Sequence, residues 1–302
     1  MKNKATSDLA IRPLKFVCFE IAPVIQHLVS CSLSQGIFPE PLKCAKVIPL
    51  HKGGSRTKVT NYRPISLLSC FSKIFERAMH TRLTEFIEDN KLLFESQYGF
   101  RALHSCEHAL LEAQGKLNLI LDRKQVALLL LIDFSKAFDM VDHQILLDKL
   151  DHYGVRGNNL DWLRSYLNNR QQYVYVNGTS SNKNNLKYCV PQGSILGPVL
   201  FILYINDLPG ISKLAKFIFF ADDANIIITG NNFAEIQHQA NELLQALDKW
   251  VKCNGLKLNI SKTKYMIFSN LREDSSSNLH ISLGGVPIER SNSERFLGVI
   301  LQ

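Results

Sequence analysis

The 302-residue sequence lacks the usual features of a disulfide-rich, zinc-binding or membrane-spanning protein. Its seven cysteines are scattered, odd in number and never spaced as Cys-x-x-Cys, which predicts reduced thiols. No apolar run reaches the about 20 residues that a membrane helix requires. The N-terminus has no clear signal-peptide core, and no internal repeat is visible. These absences favour an intracellular globular protein.

Length and charge narrow the class of protein further. The chain is long enough to bury a large core, as one domain or as two lobes. Its hydrophobic content of 46% and charged content of 21% are ordinary for a folded protein. The formal net charge of +8 favours a polyanionic partner such as nucleic acid. Because many basic proteins bind no nucleic acid, the charge alone does not identify the partner, and the sequence motifs are needed for that.

Hydrophobic periodicity and turn residues predict an α+β fold in which most strands are antiparallel. Helices are predicted over residues 8–35, Leu67 to Asp89, Glu107 to Asp122, from an N-cap at Asp142 through Leu150, Val199 to Asp207 and Ala234 to Cys253. Strands are predicted over Ala45 to Leu50, Gln125 to Ile132, Tyr173 to Val176, Lys264 to Phe268 and Phe296 to Leu301. The apolar run that ends at Ile132 predicts a strand buried on both faces. Asn177-Gly178 predicts a hairpin turn.

Two adjacent carboxylates, Asp222 and Asp223, lie where two apolar runs meet. Residues 217–219 and 226–228 predict a hairpin with both carboxylates at its tip. Crowding two carboxylates is costly unless a cation neutralises them. Asp133 ends another apolar strand and could converge on the same point. Each Asp alone is better explained as a turn or cap residue, but three together suit a two-metal phosphoryl-transfer site.

The chain resembles the reverse transcriptase domain of non-LTR retrotransposons, in the jockey-like LINE group. The resemblance covers nearly the whole length and rests on seven short motifs in the order found in that family. They are Lys52-Gly53-Gly54 with Asn61 to Ser66, Gln97 to Arg101, Leu131 to Asp139, Pro191 to Pro198, Phe220 to Asp223, Asn259 to Thr263, and Phe296 to Val299. Any one of these matches is weak, whereas seven in register are specific.

The resemblance implies an RNA-directed DNA polymerase that extends a DNA 3′-hydroxyl on an RNA template. It further implies deoxynucleoside triphosphate substrates, two Mg²⁺ ions (or Mn²⁺) and action as a ribonucleoprotein in the nucleus or cytoplasm. The implied site residues are the carboxylates of Asp133, Asp222 and Asp223, the metal-binding carbonyl of Phe134, the nucleotide-binding residues Lys52, Arg63, Phe138, Gln192, Gly193 and Lys262, and the primer-grip residues Phe296, Leu297 and Gly298.

Several of these implied roles have a simple physical basis. The planar guanidinium of Arg63 suits a triphosphate. The ring of Phe138 would exclude a ribose 2′-hydroxyl, and Gly193 would let the backbone approach the nascent base pair. Lys262 would donate a proton to the departing pyrophosphate. The competing interpretations are a solvated basic loop for Lys52, core packing for Phe138 and a surface lysine for Lys262.

The implied architecture is a right hand of fingers and palm. Fingers are expected over residues 1–125, and a palm over residues 126–302 with a fingers insertion at about 150–188. The palm is expected to be an antiparallel sheet with helices on one face, ending at the primer grip. A thumb is expected to be missing, which predicts low processivity. Two alternatives stay open: a catalytically inactive relic that only binds nucleic acid, and an RNA-dependent RNA polymerase, which the bulky Phe138 disfavours.

Overall fold

The computed structural model describes residues 16–271 and 279–302, and the chain forms two compact units. Of the described residues, the first unit comprises 16–92 and 141–203, and the second comprises 93–140, 204–271 and 279–302. The predicted helix over residues 8–35 is observed from Cys18 onward, while its first residues lie outside the described ranges.

Seven α-helices, fourteen strands and four short 3₁₀ helices account for the regular structure of the described residues. The helices are α1 (Cys18–Gln35), α2 (Cys70–Asp89), α3 (Cys106–Asp122), α4 (His143–His152), α5 (Asn158–Leu167), α6 (Gly197–Ile205) and α7 (Phe233–Cys253). The strands are β1 (Cys44–His51), β2 (Tyr62–Leu67), β3 (Val126–Ile132), β4 (Gln171–Val176), β5 (Thr179–Ser180), β6 (Asn184–Asn185), β7 (Lys216–Phe220), β8 (Asp223–Gly230), β9 (Lys264–Phe268), β10 (Ser282–Leu283), β11 (Val286–Pro287), β12 (Glu289–Arg290), β13 (Glu294–Phe296) and β14 (Val299–Leu301).

In the first unit, a small mixed sheet packs beside an aromatic core. Strand β1 pairs antiparallel with β2 and parallel with β4, and β4 continues into a hairpin with β5, as Asn177-Gly178 predicted. The core centres on the fully buried ring of Phe38, which meets Trp162 and Tyr166 edge-on at centroid distances of 5.2 and 5.1 Å. Helix α5, which supplies both of these aromatic residues, was not predicted.

In the second unit, the main sheet has the strand order β12-β9-β3-β8-β7. Strand β3 pairs antiparallel with both neighbours, and only the short β12 runs parallel to β9. Helix α3 packs on the face that carries Ala127 and Leu129. The alternate residues Leu128 and Leu130 are also fully buried, and α7 contacts both β3 and β8. Both faces of β3 are therefore covered, where the resemblance predicted helices on one face.

Several predicted boundaries change for local reasons. The run from Phe296 to Leu301 is not one strand but the β13–β14 hairpin, because Leu297 and Gly298 both adopt positive φ, at 46° and 94°. Helix α2 begins at Cys70 rather than at Leu67, since the hydroxyl of Ser69 accepts a hydrogen bond from the Phe71 amide as its N-cap. Helix α6 ends at Ile205, two residues early.

Asp142 is the N-cap of α4, as predicted, and its carboxylate accepts hydrogen bonds from the amides of Gln144 and Ile145. Across the described ranges, none of the helices combines the length and apolar character needed to cross a membrane.

Candidate active site

The β7–β8 hairpin presents Asp222 and Asp223 at its tip, as the sequence predicted. Phe220 pairs with Asp223, so that Ala221 and Asp222 form a two-residue turn. Ala221 has a φ of 60°, a conformation that usually belongs to glycine at the first position of such a turn. The side chains of Asp222 and Asp223 are exposed, while Ala221 is buried beneath them.

Strand β3 brings a third carboxylate to the same end of the sheet. Its last residue, Ile132, pairs with Ala224, so Asp133 follows directly beside Asp223. Asp223 is exposed at the surface, yet partial desolvation by the surrounding protein raises its pKa. The neighbouring charges of Asp222 and Asp133 raise the pKa further, whereas Lys262 opposes the rise. The three carboxylates therefore share one electrostatic environment, although they come from sequence positions about ninety residues apart.

The segment after α7 lies alongside the end of β3 and adds a cation to this group. The amide of Asn259 donates to the Asp133 carbonyl at 2.8 Å, and the Ser135 amide donates to the Lys257 carbonyl at 2.8 Å. This pairing places Nζ of Lys262 at 3.6 Å from Oδ2 of Asp133. These hydrogen bonds use the backbone of residues 133 and 135 and do not involve the carbonyl of Phe134, which lies between them.

The donor set suits a hard divalent cation that keeps part of its own shell. Asp133, Asp222 and Asp223 offer carboxylate oxygens, which Mg²⁺ prefers. Within residues 16–271 and 279–302, no group of three or more Asp, Glu, His or Cys side chains, the three carboxylates included, is arranged as a cage that could hold a metal ion by itself. Mg²⁺ sites that act on phosphates need no such cage, because water and phosphate oxygens complete the coordination. The residues therefore fit the ion implied by the resemblance.

Phe138 follows Asp133 by five residues, in a 3₁₀ turn over Ala137–Met140. Its ring is half-buried and meets the ring of Phe100 edge-on at a centroid distance of 6.4 Å. Asp139, in the same turn, has its pKa raised mainly by burial. The exposed ring of Phe100 comes from the second motif of the resemblance, so two separate motifs meet at Phe138.

The predicted triphosphate-binding residues lie in the first unit, on the β1–β2 hairpin. Lys52 directly follows β1, and its amide donates to the Asn61 carbonyl at 2.9 Å. Arg63 is the second residue of β2 and pairs with Leu50. The hairpin therefore brings both basic side chains, which are exposed, to its loop end.

The loop that carries Gln192 and Gly193 is held tightly within the first unit. The Gln192 carbonyl accepts from the Ser66 amide at 2.8 Å, and Gly193 has a φ of 115°. A Cβ on Gly193 would lie 2.7 Å from the Ser66 carbonyl oxygen. Behind the loop, the fully buried carboxylate of Glu76 accepts from the Ile195 amide at 2.7 Å and from the Ser72 hydroxyl at 2.9 Å.

The three predicted primer-grip residues lie at the turn end of the β13–β14 hairpin. Phe296 is buried in the same cluster as α3 and β3, while Leu297 and Gly298 make the turn itself. The hairpin is joined to the main sheet by the ion pair between Lys264 on β9 and Glu294 on β13, at 2.7 Å. This contact lowers the pKa of Glu294 and raises that of Lys264.

Sequence reasoning assigned no role to Gln97, Gly99 or Glu76, all of which contact the backbone of a predicted site loop. For Glu76 a signal was present, because it lies at helical spacing on the buried stripe of α2, between Ser72 and Met79. A charged residue on such a stripe must have partners. Gln97 and Gly99 gave no comparable signal, since their contact is made across 124 residues of sequence.

The chain was compared with known families, proteins and structures. The family model described as "Reverse transcriptase (RNA-dependent DNA polymerase)" matches residues 50–301. The probable RNA-directed DNA polymerase from transposon BS of Drosophila melanogaster is 32% identical, over 99% of this chain and 33% of that protein. The RNA-directed DNA polymerase from mobile element jockey of the same species is 29% identical, over 89% of this chain and 30% of that protein.

Among solved structures, an apo telomerase of Candida tropicalis truncated from its C-terminal domain has a similar fold. Its TM-score is 0.57 at 12% identity, over 88% of this chain and 54% of that one. The chain spans about a third of the length of the curated relatives it matches. The resemblance seen in the sequence motifs is thus confirmed by the family model and by the relatives: the chain belongs to the reverse transcriptase family.

Proposed function

We propose that this chain is the polymerase portion of a non-LTR retrotransposon protein, and that it extends a DNA 3′-hydroxyl on an RNA template with deoxynucleoside triphosphates. The observation that carries the proposal is the grouping of Asp133, Asp222 and Asp223 at one end of the main sheet, where their charges act on each other. The observed family membership gives this carboxylate group its chemical context.

In the proposed reaction, Asp133 and Asp222 are the principal ligands of two Mg²⁺ ions, with Mn²⁺ as a substitute. The Phe134 carbonyl is a backbone ligand, and Asp223 is an auxiliary carboxylate. When bound, such ions lower the pKa of the primer hydroxyl and neutralise the triphosphate. Lys262 would donate a proton to the leaving pyrophosphate, and its ion pair with Asp133 supports this role.

The remaining site residues would bind and select the nucleotide and hold the nucleic acid. Arg63 and Lys52 would bind the triphosphate through their charges, and Phe138 would exclude a ribose 2′-hydroxyl. A larger set would contact the template, the nascent base pair or the primer: Gln192, Gly193, Phe296, Leu297 and Gly298. The net charge of +8 supports binding to an RNA–DNA duplex through its backbone.

The proposed architecture follows from these roles. Residues 126–302 would act as the palm, because they contain all three carboxylates. Residues 1–125, with an insertion at about 150–188, would act as fingers, because they contain the β1–β2 hairpin with Lys52 and Arg63. Such a protein would work inside the cell as a ribonucleoprotein, in the nucleus or in the cytoplasm.

Single-nucleotide addition to a labelled DNA primer on an RNA template, with Mg²⁺, tests the proposal without depending on processivity. We expect addition by the chain, and a loss of at least about 10³-fold in Asp222→Asn, since metal binding contributes several kcal/mol of transition-state stabilisation. The matched control is Asp248→Asn, which removes a carboxylate that pairs with Lys252 on α7. It should retain wild-type activity.

Three other results would each overturn the proposal in a different way. Activity that survives in Asp222→Asn would exclude its assignment as a metal ligand. Binding of the RNA–DNA duplex without any addition would indicate a catalytically inactive nucleic-acid-binding relic. Efficient addition of ribonucleotides in place of deoxyribonucleotides would indicate an RNA polymerase.

A further inference from the structure

The segment Ser96–Gly99 forms an outer border to the catalytic hairpin. Strand β7 is the last strand of the main sheet, and Phe219 near its end pairs in parallel with Gln97. The Phe219 amide donates to the Ser96 carbonyl, and the Tyr98 amide donates to the Phe219 carbonyl, both at 2.9 Å. The segment thus continues the sheet for one residue pair, immediately before the turn at Ala221.

The side chain of Gln97 contacts the turn itself. Its exposed fraction is 2%, and its oxygen Oε1 accepts hydrogen bonds from the amides of Gly99 at 2.8 Å and Ala221 at 3.2 Å. Because both partners are N–H donors, the carbonyl oxygen of the side chain must be the atom that faces them. One buried amide oxygen therefore joins the segment to the turn.

The turn needs such support because its backbone is strained. Ala221 adopts a φ of 60° with a Cβ present, which is unfavourable for an L-residue. Conformations of this kind persist only where the surroundings fix them. Ala221 precedes Asp222 directly, so the direction of the Asp222 side chain depends on this one backbone conformation.

Gly99 allows the close approach on which the contact depends. A Cβ at Gly99 would lie 2.1 Å from the Ala221 nitrogen and 2.9 Å from the Phe220 carbonyl carbon. Gly99 does not have a positive φ, so it is the lack of space, and not the backbone conformation, that excludes a side chain. Any larger residue would displace the turn.

Helix α3 holds the segment in place through Glu112. The hydroxyls of Ser96 and Tyr98 donate to Oε1 and Oε2 of Glu112 at 2.9 and 2.8 Å. Nζ of Lys216, at the start of β7, lies 2.5 Å from the same carboxylate. Burial and Glu112 together raise the pKa of Tyr98 to about 12, which keeps the tyrosine hydroxyl a donor. The residues on both sides of Gln97 are thus fixed independently of the turn.

We propose that Gln97 and Gly99 are positioning residues that fix the backbone of Ala221 and thereby the direction of Asp222. The inference rests on the proposed polymerase function and deepens it. Neither residue touches substrate; both act through the turn. A misplacement of about 1 Å at a catalytic group can cost about 100-fold in rate.

Two variants of Gln97 test this in the full 302-residue chain. Gln97→Met keeps the length of the side chain and removes the acceptor, whereas Gln97→Glu keeps both the length and the acceptor. The matched control is Gln237→Met, which removes a similar hydrogen bond from the His280 amide to a glutamine oxygen, at 2.8 Å. Amide hydrogen exchange of Ala221 is followed without substrate or metal, and kcat and KM are measured by single-nucleotide addition.

In Gln97→Met we expect exchange at Ala221 to be faster by about tenfold, the effect of losing one hydrogen bond. We expect kcat to fall by about 10- to 100-fold, with KM for the nucleotide changed little. Gln97→Glu should restore slow exchange, and Gln237→Met should match wild type at Ala221. Unchanged exchange at Ala221, or equal acceleration throughout the second unit, would overturn the proposal.

Gly99→Ala provides an independent test with its own control. It should lower kcat by at least about tenfold by displacing the turn, whereas Gly115→Ala, on α3 with open space around it, should not. Full activity in Gly99→Ala would contradict the role of close approach. If the wild-type chain adds no nucleotide, the polymerase assignment fails, while the exchange data still decide whether Gln97 holds the turn.

Discussion

The ammonium of Lys262 lies 3.6 Å from a carboxylate oxygen of Asp133, although the two residues are 129 positions apart in the sequence. The contact is built by backbone pairing between residues 133–135 and 257–259, which brings the loop after α7 to the end of β3. A lysine that sequence reasoning left balanced between a surface residue and a proton donor is thus next to a proposed metal ligand.

The first prediction concerns this lysine. If Lys262 donates a proton to pyrophosphate, Lys262→Ala should reduce the single-turnover rate by about 100-fold or more, the usual contribution of a general acid. Lys262→Arg should be nearly as slow, because a guanidinium keeps its proton at any working pH. Lys252→Ala, which removes another Lys–Asp pair, is the control.

A purely electrostatic role would give a different pattern. In that case Lys262→Arg would retain most of the activity, because the positive charge beside Asp133 would be preserved.

The second prediction concerns selection of the sugar. Phe138→Ala should reduce the preference for deoxyribonucleotides over ribonucleotides by at least about tenfold, because a cavity replaces the ring that excludes the 2′-hydroxyl. The measurement is the ratio of kcat/KM for dNTP and rNTP addition.

Phe100→Ala separates exclusion from packing, because it removes the edge-on ring contact to Phe138 and keeps the Phe138 ring itself. It should change the ratio less than Phe138→Ala does. An unchanged ratio in Phe138→Ala would leave Phe138 as a packing residue.

The sequence alone predicted the strands and helices whose signals are local. The apolar runs before Asp133 and on both sides of Asp222 predicted the central strands, because a buried strand needs only a continuous apolar segment. Strand β2 was missed because it contains Pro64, which argues against a strand. In the structure Pro64 pairs with Pro49. Strand β1 pairs with β4 only before this point, so neither proline needs a backbone N–H to donate to a further strand.

Long-range contacts could not be predicted in the same way. The bond between Gln97 and Ala221 depends on how the segment before α3 meets the edge of the sheet, and no sequence pattern encodes that meeting. The β13–β14 hairpin was predicted as one strand because leucine is a poor turn former, so nothing in the sequence indicated the positive φ that Leu297 adopts.

The third prediction concerns Gly193. Gly193→Ala should lower the free energy of unfolding by about 2 kcal/mol or more, since it adds backbone strain at a φ of 115° and a clash with the Ser66 carbonyl. Gly178→Ala, at a φ of 87° in open space, carries the strain without the clash. Urea unfolding of the two variants should therefore differ by at least about 1 kcal/mol. Equal stabilities would mean that the loop relaxes away from Ser66.

The fourth prediction concerns the pH dependence contributed by Glu76. Burial raises its pKa above the ordinary value of 4.5, against the opposing effects of the Ile195 amide, Ser72 and Arg170. The carboxyl group of Glu76 therefore stays protonated in the folded chain at pH values where it has already ionised in the unfolded chain. Its contribution to stability is fully present below about pH 4.5 and is lost as the pH rises through the folded pKa.

Glu76→Gln removes the ionisation and so isolates that contribution. The free energy of unfolding, wild type minus Glu76→Gln, should fall as the pH is raised from 4.5 through the raised pKa of Glu76. Urea unfolding at several pH values measures this difference. Glu85→Gln, at an exposed position of the same helix, is the control for removing one carboxylate. A difference that stays flat or rises with pH would mean that Glu76 ionises at least as easily in the folded chain as in the unfolded one. In that case the hydrogen bonds to its carboxylate, including the bond from the Ile195 amide, would outweigh the effect of burial.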